Sequence, residues 1–351
     1  MRIRLPGRTI EVFTISPRTT DETKYWLNIE KVIDWSERFD CTGILLFTGN
    51  DTYVEPWIAG HTVMARTTNL SPLVAVNPVY MHPFTAAKMV STFAYLYRRK
   101  TYLNMVAGTA LSHLHALNDH LSHDDRYVRL QEYILLIKAL VSSSEPINFE
   151  GQYYKATSLQ LLPRTPDELQ PVFFLAGQSE AAKRMSKVVG SVHMQMLPPG
   201  LESDLTKGLD GIHFGVVTRE DEALAWEVAR ATFPEDRYGQ RVLTFSMNNT
   251  DAVWKMRMKQ AAEMAAAARP GYFLEPFRNF KADCPYFIGS HEQVAELIAS
   301  LVLRGINMFI LDIPAQEEEF RHVDLAFKKA ETQLLQAFKK SEAQNDIRFV
   351  S

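Results

Sequence analysis

The sequence predicts an α/β protein: a (β/α)8, or TIM, barrel with long insertions after its fourth and seventh strands. Two observations favour this class. Short apolar runs of strand length recur throughout the 351 residues, and amphipathic helical segments separate most of them. Continuous apolar strands that alternate with helices indicate a parallel sheet covered by helices, and eight such units favour a closed barrel. The eight predicted strands are residues 10–15, 43–47, 73–77, 102–107, 172–176, 192–197, 212–217 and 307–313.

Helices are predicted between these strands. The first, residues 21–39, places apolar side chains at about the i, i+3, i+4 spacing of one buried face. These side chains belong to Trp26, Ile29, Val32, Ile33 and Trp35. No GxGxxG motif follows any of the eight strands, which disfavours an open dinucleotide-binding sheet.

Two segments are too long to be simple connections. Residues 108–123 separate the fourth strand from its helix, and residues 234–285 follow the seventh helix. Long excursions in compact domains commonly form binding loops or lids. We therefore expect 108–123 to be an active-site loop, and 234–285 either to cover a pocket or to make a subunit contact. Residues 1–340 are predicted to form one domain, followed by a tail at 341–351.

Composition excludes several classes of function. The chain is 46% hydrophobic and 23% charged, which is typical of a globular protein, and its net charge is −3 without a run of Lys or Arg. A nucleic-acid surface is therefore not expected. Cys41 and Cys284 form no CxxC pair, so neither a disulfide framework nor a cysteine zinc site is expected, and the reducing cytoplasm is the predicted compartment. No apolar stretch is long enough for a membrane span or signal peptide, so neither export nor membrane insertion is expected.

The stretch FFLAGQSEAAKRM, residues 173–185, runs from the fifth predicted strand through Gly177 into a helix. Such a turn presents free backbone N–H groups at a helix N-terminus, where a phosphate binds readily. Many strand-glycine-helix junctions only connect two elements, and the residues alone leave both interpretations open. In a barrel, this turn lies at the carboxyl end of the strands, where active sites form.

Taken together, several motifs resemble the bacterial-luciferase-like flavin-dependent monooxygenases, and most of all their alkanesulfonate monooxygenase branch. The resemblance covers nearly the whole chain, and the motifs occur in the family's order. They are CTGILLFTGNDTYVEPW (41–57), NMVAGT (104–109), SHDDRYVRLQEY (122–133), FEGQYY (149–154), PVFFLAGQSEAA (171–182), FIGSHEQVAELI (287–298) and GINMFILDIPAQEEE (305–319).

The resemblance implies an FMN site. Gly177, Gln178 and Ser179 are expected to hold the FMN phosphate with help from the Tyr127 hydroxyl. Helix N–H groups, a serine and a phenol can bind a phosphate without a lysine. Asn104, which both donates and accepts, suits the edge of the flavin ring, although it could instead cap the barrel mouth. Val76, together with Asn77, is a further candidate to line the flavin.

The resemblance also implies the reaction. Reduced FMN (FMNH2), supplied by a separate flavin reductase, reacts with O2 to give a C4a-(hydro)peroxide that oxygenates a substrate, and the protein positions and protects it. His213 occupies the position where the branch carries a histidine facing the flavin, and it is the predicted catalytic residue. A histidine in a strand can also be an ordinary core residue. A homodimer or homotetramer is implied as well.

Four histidines lie in or at the end of the predicted active-site loop: His113, His115, His120 and His123. Imidazole is a common metal ligand, but these residues lack HExxH spacing and an accompanying cysteine. Solvated or pocket-lining roles are therefore favoured, and no metal site is predicted. His123, just before the Asp-Asp-Arg-Tyr sequence, is expected to touch the pocket.

Departures from the branch concern the substrate pocket. An arginine of the branch is replaced by Gly211, a tyrosine by Ile313 and a tryptophan by Met196, and its pocket cysteine and early histidine fall near Thr52 and Arg18. Without that guanidinium a simple sulfonate is disfavoured, although Arg18, Arg278 and Lys281 could restore positive charge from loops. The predicted substrate residues are Arg18, Thr52, Tyr53, His123, Met196 and Ile313.

A more apolar mouth suits a larger small-molecule or carrier-linked substrate, as in natural-product tailoring. Two other functions stay open: a deazaflavin (F420)-dependent oxidoreductase of the same superfamily, and a catalytically silent flavin-binding barrel. The cofactor that binds and the consumption of oxygen distinguish them.

Overall fold

The computed structural model describes residues 1–18, 21–108, 110–200, 208–263 and 269–348. The predicted loop, insertion and tail each include residues outside these ranges, namely Thr109, 264–268 and 349–351. The strands are β1 (Ile3–Leu5), β2 (Arg8–Ile15), β3 (Gly43–Leu46), β4 (Ser71–Val76), β5 (Tyr102–Met105), β6 (Ile147–Glu150), β7 (Lys155–Leu159), β8 (Val172–Leu175), β9 (Val192–Met196), β10 (Gly211–Arg219), β11 (Tyr272–Phe273), β12 (Tyr286–Ser290) and β13 (Met308–Asp312).

The helices begin and end close to their capping residues. They are α1 (Glu22–Arg38), α2 (Pro56–Arg66), α3 (Pro83–Tyr97), α4 (Leu111–Ala116), α5 (His123–Ser142), α6 (Glu180–Val189), α7 (Glu222–Thr232), α8 (Arg237–Asn248), α9 (Val253–Glu263), α10 (Glu275–Arg278), α11 (His291–Leu303) and α12 (Glu317–Arg348). In α1 the predicted stripe is buried at Ile29, Val32 and Ile33, while Trp26 and Trp35 pack against the core partly exposed. The helix α12 continues through Arg348 into the predicted tail.

Eight parallel strands close the predicted barrel. Their order is β2, β3, β4, β5, β8, β9, β10 and β13, and β13 pairs with both β10 and β2, which closes the sheet. Each of these strands overlaps one of the eight predicted apolar runs. The long β10 pairs with β13 through Gly211–Gly215 and with β12 through Gly215–Arg219. The strand β12 was not among the eight predicted.

Side chains inside the barrel form an aromatic and aliphatic floor. The ring centroid of Phe13 lies 4.9 Å from that of Tyr102 and 5.3 Å from that of Phe174, with Leu73 and Ile310 in the same cluster. Edge-to-face rings of this kind pack tightly without a central void. The interior is therefore filled below, and space for a ligand lies at the carboxyl ends of the strands.

The FEGQYY motif, residues 149–154, lies at the turn of a hairpin formed by β6 and β7. The Glu132 carboxylate of α5 accepts hydrogen bonds from the backbone N–H groups of Gln152, Tyr153 and Tyr154 at 2.8–3.2 Å. A Cβ on Gly151 would lie 2.4 Å from Glu132 Oε2, so glycine permits this approach. The motif therefore joins the hairpin to α5.

Among the described residues, no helix combines the length and apolarity needed to cross a membrane.

Candidate active site at the carboxyl end of the barrel

A cavity of about 250 Å³ opens at the carboxyl ends of the barrel strands. The structure brings most of the predicted site residues to its wall. They are Arg18, Asn104, His123, Tyr127, Gly177, Gln178, Ser179, Met196 and His213. The remaining predicted site residues, Thr52, Tyr53, Val76 and Ile313, do not line this cavity.

Strand alternation explains the position of Val76. Leu73 lies in the cluster inside the barrel and Ala75 lines the cavity, whereas Val74 and Val76 are buried between the sheet and the helices. Ala75 therefore occupies the wall where Val76 was predicted. The side chain of Asn77, the next residue, caps its own turn by accepting from the Val79 N–H at 3.1 Å.

The other three residues lie outside the cavity wall. Ile313 is buried in the outer core that packs β10 and β13 against α11 and α12. The Thr52 hydroxyl donates to the Gly49 carbonyl at 2.9 Å, and the half-exposed Tyr53 ring lies 5.0 Å from the Tyr25 ring. These contacts account for their positions without a ligand.

The turn at Gly177–Ser179 leads into α6 as predicted. Ser179 is the N-cap, and its hydroxyl accepts from the Ala182 N–H at 3.2 Å. A Cβ on Gly177 would lie 2.3 Å from Ala182 Cβ and 3.0 Å from the Tyr127 hydroxyl oxygen. Only glycine therefore lets the turn pack this closely beneath Tyr127. Arg257 of α9 donates to Gln178 Oε1 at 2.9 Å and brings a positive charge beside the turn.

Tyr127 and Asn104 border the same wall. Burial raises the pKa of Tyr127 against a hydrogen bond with Ser179, so its hydroxyl stays protonated and able to donate at neutral pH. The His123 ring lies 5.0 Å from the Tyr127 ring, and its Nδ1 lies 2.8 Å from Asp124 Oδ1. In the sheet, Asn104 pairs directly with Ala75 across β5 and β4, which places the amide beside a small, flat section of wall.

His213 lies on β10 at the bottom of the cavity, next to Met196 of β9 in the sheet register. Its Nε2 is buried and has no hydrogen-bond partner among the described residues. Burial, with the nearby charge of Arg18, lowers the pKa of His213 to about 4, against a smaller opposing effect of Asp283. The imidazole is therefore neutral at physiological pH, and one ring nitrogen is available to a ligand.

Arg18, from the loop after β2, forms an ion pair with Asp283, which directly precedes Cys284 and β12. The two side chains keep 32% and 30% of their surface exposed, and both line the cavity. The guanidinium also lies over the Phe47 ring at 4.8 Å. Burial disfavours the charged form of both groups. The charge and hydrogen bond of the partner have the larger combined effect, so the pKa of Arg18 is raised and that of Asp283 is lowered. A fixed guanidinium is thus present although position 211 is glycine.

A second carboxylate, Asp312 at the end of β13, lies behind this pair. The Cys284 thiol approaches its Oδ2 at 3.9 Å, and Tyr286 hydrogen-bonds to it. Burial raises the pKa of Asp312 to about 6, while Arg18 and Tyr286 oppose the shift. This group therefore titrates close to neutrality beside the cavity.

The two long excursions meet over the cavity. Asp251, Ala252, Val253 and Trp254 of the predicted insertion line it. Asp251 pairs with the buried Arg126 of α5 at 2.6 Å. The Asn249 side chain and carbonyl accept from the N–H groups of Ser112 and Leu111 at 2.8 and 3.0 Å, which joins the insertion to α4.

The two other basic residues that were expected to supply positive charge to the pocket lie outside the cavity. Arg278 pairs with Glu275, and Lys281 pairs with Asp236, so neither lines the cavity. The His115 and His120 rings contact each other at 4.9 Å. Within the described ranges, no group of three or more His, Cys, Asp or Glu side chains is arranged to hold a metal ion.

Sequence reasoning missed several wall residues, among them Gln195, Asp251, Trp254 and Asp283. Asp251 and Trp254 fall within the insertion that was expected to cover a pocket or make a subunit contact. The sequence therefore indicated the segment but not which of its residues line the cavity. Asp283 directly precedes the apolar run CPYFIGS, which could have indicated an additional strand and hence a strand-end carboxylate.

The model of the luciferase-like monooxygenase family matches residues 36–308 of the chain. The chain belongs to the luciferase-like monooxygenase family. Residues 36–308 include every predicted site residue except Arg18 and Ile313. They also include six of the eight barrel strands, β3, β4, β5, β8, β9 and β10, and the first residue of β13. The predicted resemblance is confirmed at the level of the family, and the chain is an enzyme of that family.

Relatives of this luciferase-like monooxygenase extend over most of its length. The 4-(γ-L-glutamylamino)butanoyl-[BtrI acyl-carrier protein] monooxygenase BtrO of Niallia circulans is 28% identical over 306 residues, covering 84% of this chain and 89% of that protein. The EDTA monooxygenase EmoA of Chelativorans sp. BNC1 superposes with a TM-score of 0.71 at 14% identity, covering 92% and 94% of the two chains. The oxygenating constituent of 3,6-diketocamphane monooxygenase from Pseudomonas putida, solved with FMN, gives 0.66 at 14% identity, covering 93% and 99%. The two superpositions establish a shared fold.

Proposed function

We propose that this enzyme is the oxygenating component of a two-component, FMN-dependent monooxygenase that acts on an acyl group linked to a carrier protein. The observation that carries the proposal is one cavity whose wall includes the turn at the α6 N-terminus and a neutral His213 imidazole whose Nε2 has no hydrogen-bond partner among the described residues. Overall, the substrate gains one oxygen atom of O2, the other leaves as water, and reduced FMN gives up two electrons and two protons.

The wall residues fit a flavin phosphate. The α6 N-terminus supplies backbone N–H donors, and Tyr127 supplies a hydroxyl beside them. The close packing at Gly177 holds the turn against Ala182 and beside the Tyr127 hydroxyl, and Arg257 adds positive charge next to Gln178. Gly177, Gln178, Ser179 and Tyr127 would hold the phosphate, and Asn104 with Ala75 would contact the ring. When bound, reduced FMN supplies the electrons that activate O2.

His213 and Arg18 would act on the oxygen and substrate side of the cavity. A neutral imidazole can donate or accept one hydrogen bond without delivering a stray proton, which protects an activated oxygen species from discharge as hydrogen peroxide. The Arg18 guanidinium, fixed by Asp283 and Phe47, would orient a polar group of the substrate.

The insertion would exclude water. Val253 and Trp254 add apolar surface over the cavity, and the Asp251–Arg126 and Asn249–Ser112 contacts hold them there. We propose that residues 234–285 act as a cover rather than only as a subunit contact. Met196, at the same wall, adds apolar surface suited to an acyl chain.

BtrO, named for an acyl-carrier-protein substrate, supports the carrier-linked class because its likeness spans most of both chains. An acyl group on the flexible arm of a carrier protein can also enter from the surface into a cavity that the insertion partly covers. The separate reductase, the cytoplasmic location and a dimeric or tetrameric assembly stay predictions.

Anaerobic titration tests the cofactor. Purified protein receives reduced FMN in one series and reduced deazaflavin (F420) in another, and binding is followed by flavin absorbance and fluorescence. The proposal requires preferential binding of reduced FMN. Preferential binding of the deazaflavin would instead assign hydride transfer, and binding of neither would refute the proposed flavin enzyme.

A further inference from the structure

A second groove, of about 670 Å³, lies beside the active-site cavity between α6, the start of β10 and α9. Four basic side chains line it: Lys183, Arg184 and Lys187 of α6, and Arg257 of α9. Two carboxylates, Glu180 and Asp210, also lie there. The groove is therefore locally basic in a chain whose net charge is −3.

The carboxylates leave part of this positive charge free. Glu180 pairs with Lys183 at 2.8 Å, and Asp210 accepts from the His193 backbone N–H at 2.8 Å. Arg184 and Lys187 are exposed, lie three residues apart on α6, and form no ion pair within the described ranges. Two adjacent, solvated cations thus face outward next to the active site.

The groove adjoins the active-site cavity. Gln178 and Gln195 line both, so these two side chains stand between the groove and the cavity. The shared wall belongs to the turn before α6 and to β9, which also carry Gly177 and Met196. A flexible arm that leaves a partner on the groove therefore starts next to the cavity, with only the Gln178 and Gln195 side chains shared between the two spaces.

We propose that this groove docks an acidic carrier protein, with Arg184 and Lys187 facing its acidic helix and its phosphopantetheine arm entering past Gln178 and Gln195. The inference rests on the proposed function, because it names the partner of the same reaction. Charge complementarity accounts for the partner, since a protein with an acidic surface gains from solvated cations at a rim mainly in its rate of association. Adjacency accounts for the arm, since the acyl thioester must reach a cavity that the groove adjoins at Gln178 and Gln195 and that the insertion partly covers.

Fluorescence anisotropy tests the docking. The probe is a holo-acyl carrier protein whose pantetheine thiol carries a fluorophore, titrated with full-length enzyme. We expect Arg184→Glu/Lys187→Glu to weaken binding at least tenfold, and added salt to weaken binding to the wild type. The matched control, Lys339→Glu/Lys340→Glu, makes the same charge change on exposed residues of α12, the helix that also contacts β1. Its affinity for the carrier should stay within twofold of that of the wild type.

Three results would overturn the docking: a wild type that does not bind the carrier, a groove variant that binds as well as the wild type, or equal weakening in both double variants. Anaerobic titration of the groove variant with reduced FMN separates the sources of anionic charge. An affinity within twofold of the wild type is expected, whereas a tenfold loss would assign the groove to the flavin phosphate and overturn the proposal. If the wild type binds the carrier but not reduced FMN, the proposed function fails while the docking stands.

Discussion

The Arg18 guanidinium and the Asp283 carboxylate form an ion pair at the mouth of the barrel, although 265 positions separate them in the chain. The pair joins the loop after the first barrel strand to the segment before β12 and stands beside His213 in one cavity. Burial lowers the pKa of that histidine, and the charge of Arg18 lowers it further against a smaller opposing effect of Asp283. Four predictions follow from the contacts in and around this cavity.

The Arg18–Asp283 pair should be energetically coupled. A double-mutant cycle with Arg18→Ala and Asp283→Ala is expected to give a coupling free energy of about 1 kcal/mol or more, because both charges are partly desolvated and lose their partner. Urea unfolding of the four proteins measures it. The same cycle on the exposed pair Lys155–Glu150 should give no measurable coupling. Additive effects of Arg18 and Asp283 would show that the pair is not formed in solution.

The pKa of His213 should rise when Arg18 loses its charge. In Arg18→Gln the imidazolium no longer meets a neighbouring cation, so its pKa should rise from about 4. It should stay below 6.5, since burial is the larger cause of the shift and persists. NMR titration of the labelled imidazole measures this, with His213→Asn for assignment. The control Arg278→Gln removes an arginine outside the cavity and should leave the titration of His213 unchanged. If Arg18→Gln also leaves it unchanged, the charge of Arg18 does not lower the pKa of His213.

Substituting Gly177 by alanine should disrupt the turn. The added Cβ would lie 2.3 Å from Ala182 Cβ, so the turn must shift away from Tyr127. We expect at least a tenfold loss of affinity for reduced FMN and a loss of about 1–3 kcal/mol in unfolding free energy. Anaerobic titration and urea unfolding measure the two effects. In the control Gly60→Ala, in the interior of α2, the nearest atom is 3.4 Å away, so affinity should stay unchanged and stability should not fall. Wild-type affinity in Gly177→Ala would show that this turn does not hold the phosphate.

Asp312 should make stability depend on pH. Its folded pKa of about 6 exceeds its ordinary value of 3.8, so between these values the native state binds more protons and stability falls as pH rises. Asp312→Asn has no carboxyl group to ionise there, so its stability does not fall with rising pH for this reason. The free energy of unfolding of the variant relative to the wild type should therefore grow from pH 4 to pH 7 by up to about 3 kcal/mol. Thermal unfolding across this range measures it. Asp283→Asn should instead differ from the wild type by a nearly constant amount over this range, since the folded pKa of Asp283 is lowered and its stabilisation is lost only as pH falls below 3.8. A constant difference for Asp312→Asn would contradict the raised pKa.

The barrel was predictable because buried parallel strands appear as continuous apolar runs between helices. Because these runs are apolar at every position, however, they do not show which side chains face the inside of the barrel. In LVAV, residues 73–76, every residue is apolar, so the sequence could not distinguish Ala75, on the cavity, from Val76, one position away on the outer face. The turn at Gly177–Ser179 was predictable because a glycine, a capping serine and a helix follow a strand locally.

Long-range pairs could not be predicted in the same way. Arg18 was proposed as a pocket charge, but its partner Asp283 is fixed only by closure of the barrel and by β12 pairing with β10. The cover residues Asp251 and Trp254 were hidden for a related reason, since the length of a segment indicates an excursion but not which of its side chains point inward.

Reaction of O2 with the protein loaded with reduced FMN tests the central claim most directly. Rapid mixing with oxygenated buffer, with parallel detection of O2 consumption and hydrogen peroxide release, compares the enzyme with free reduced FMN. The account predicts one O2 consumed per flavin and a resolved delay before peroxide appears, a delay that shortens in His213→Asn. Simultaneous O2 consumption and peroxide release, as for free flavin, or no reaction with O2 at all, would contradict it.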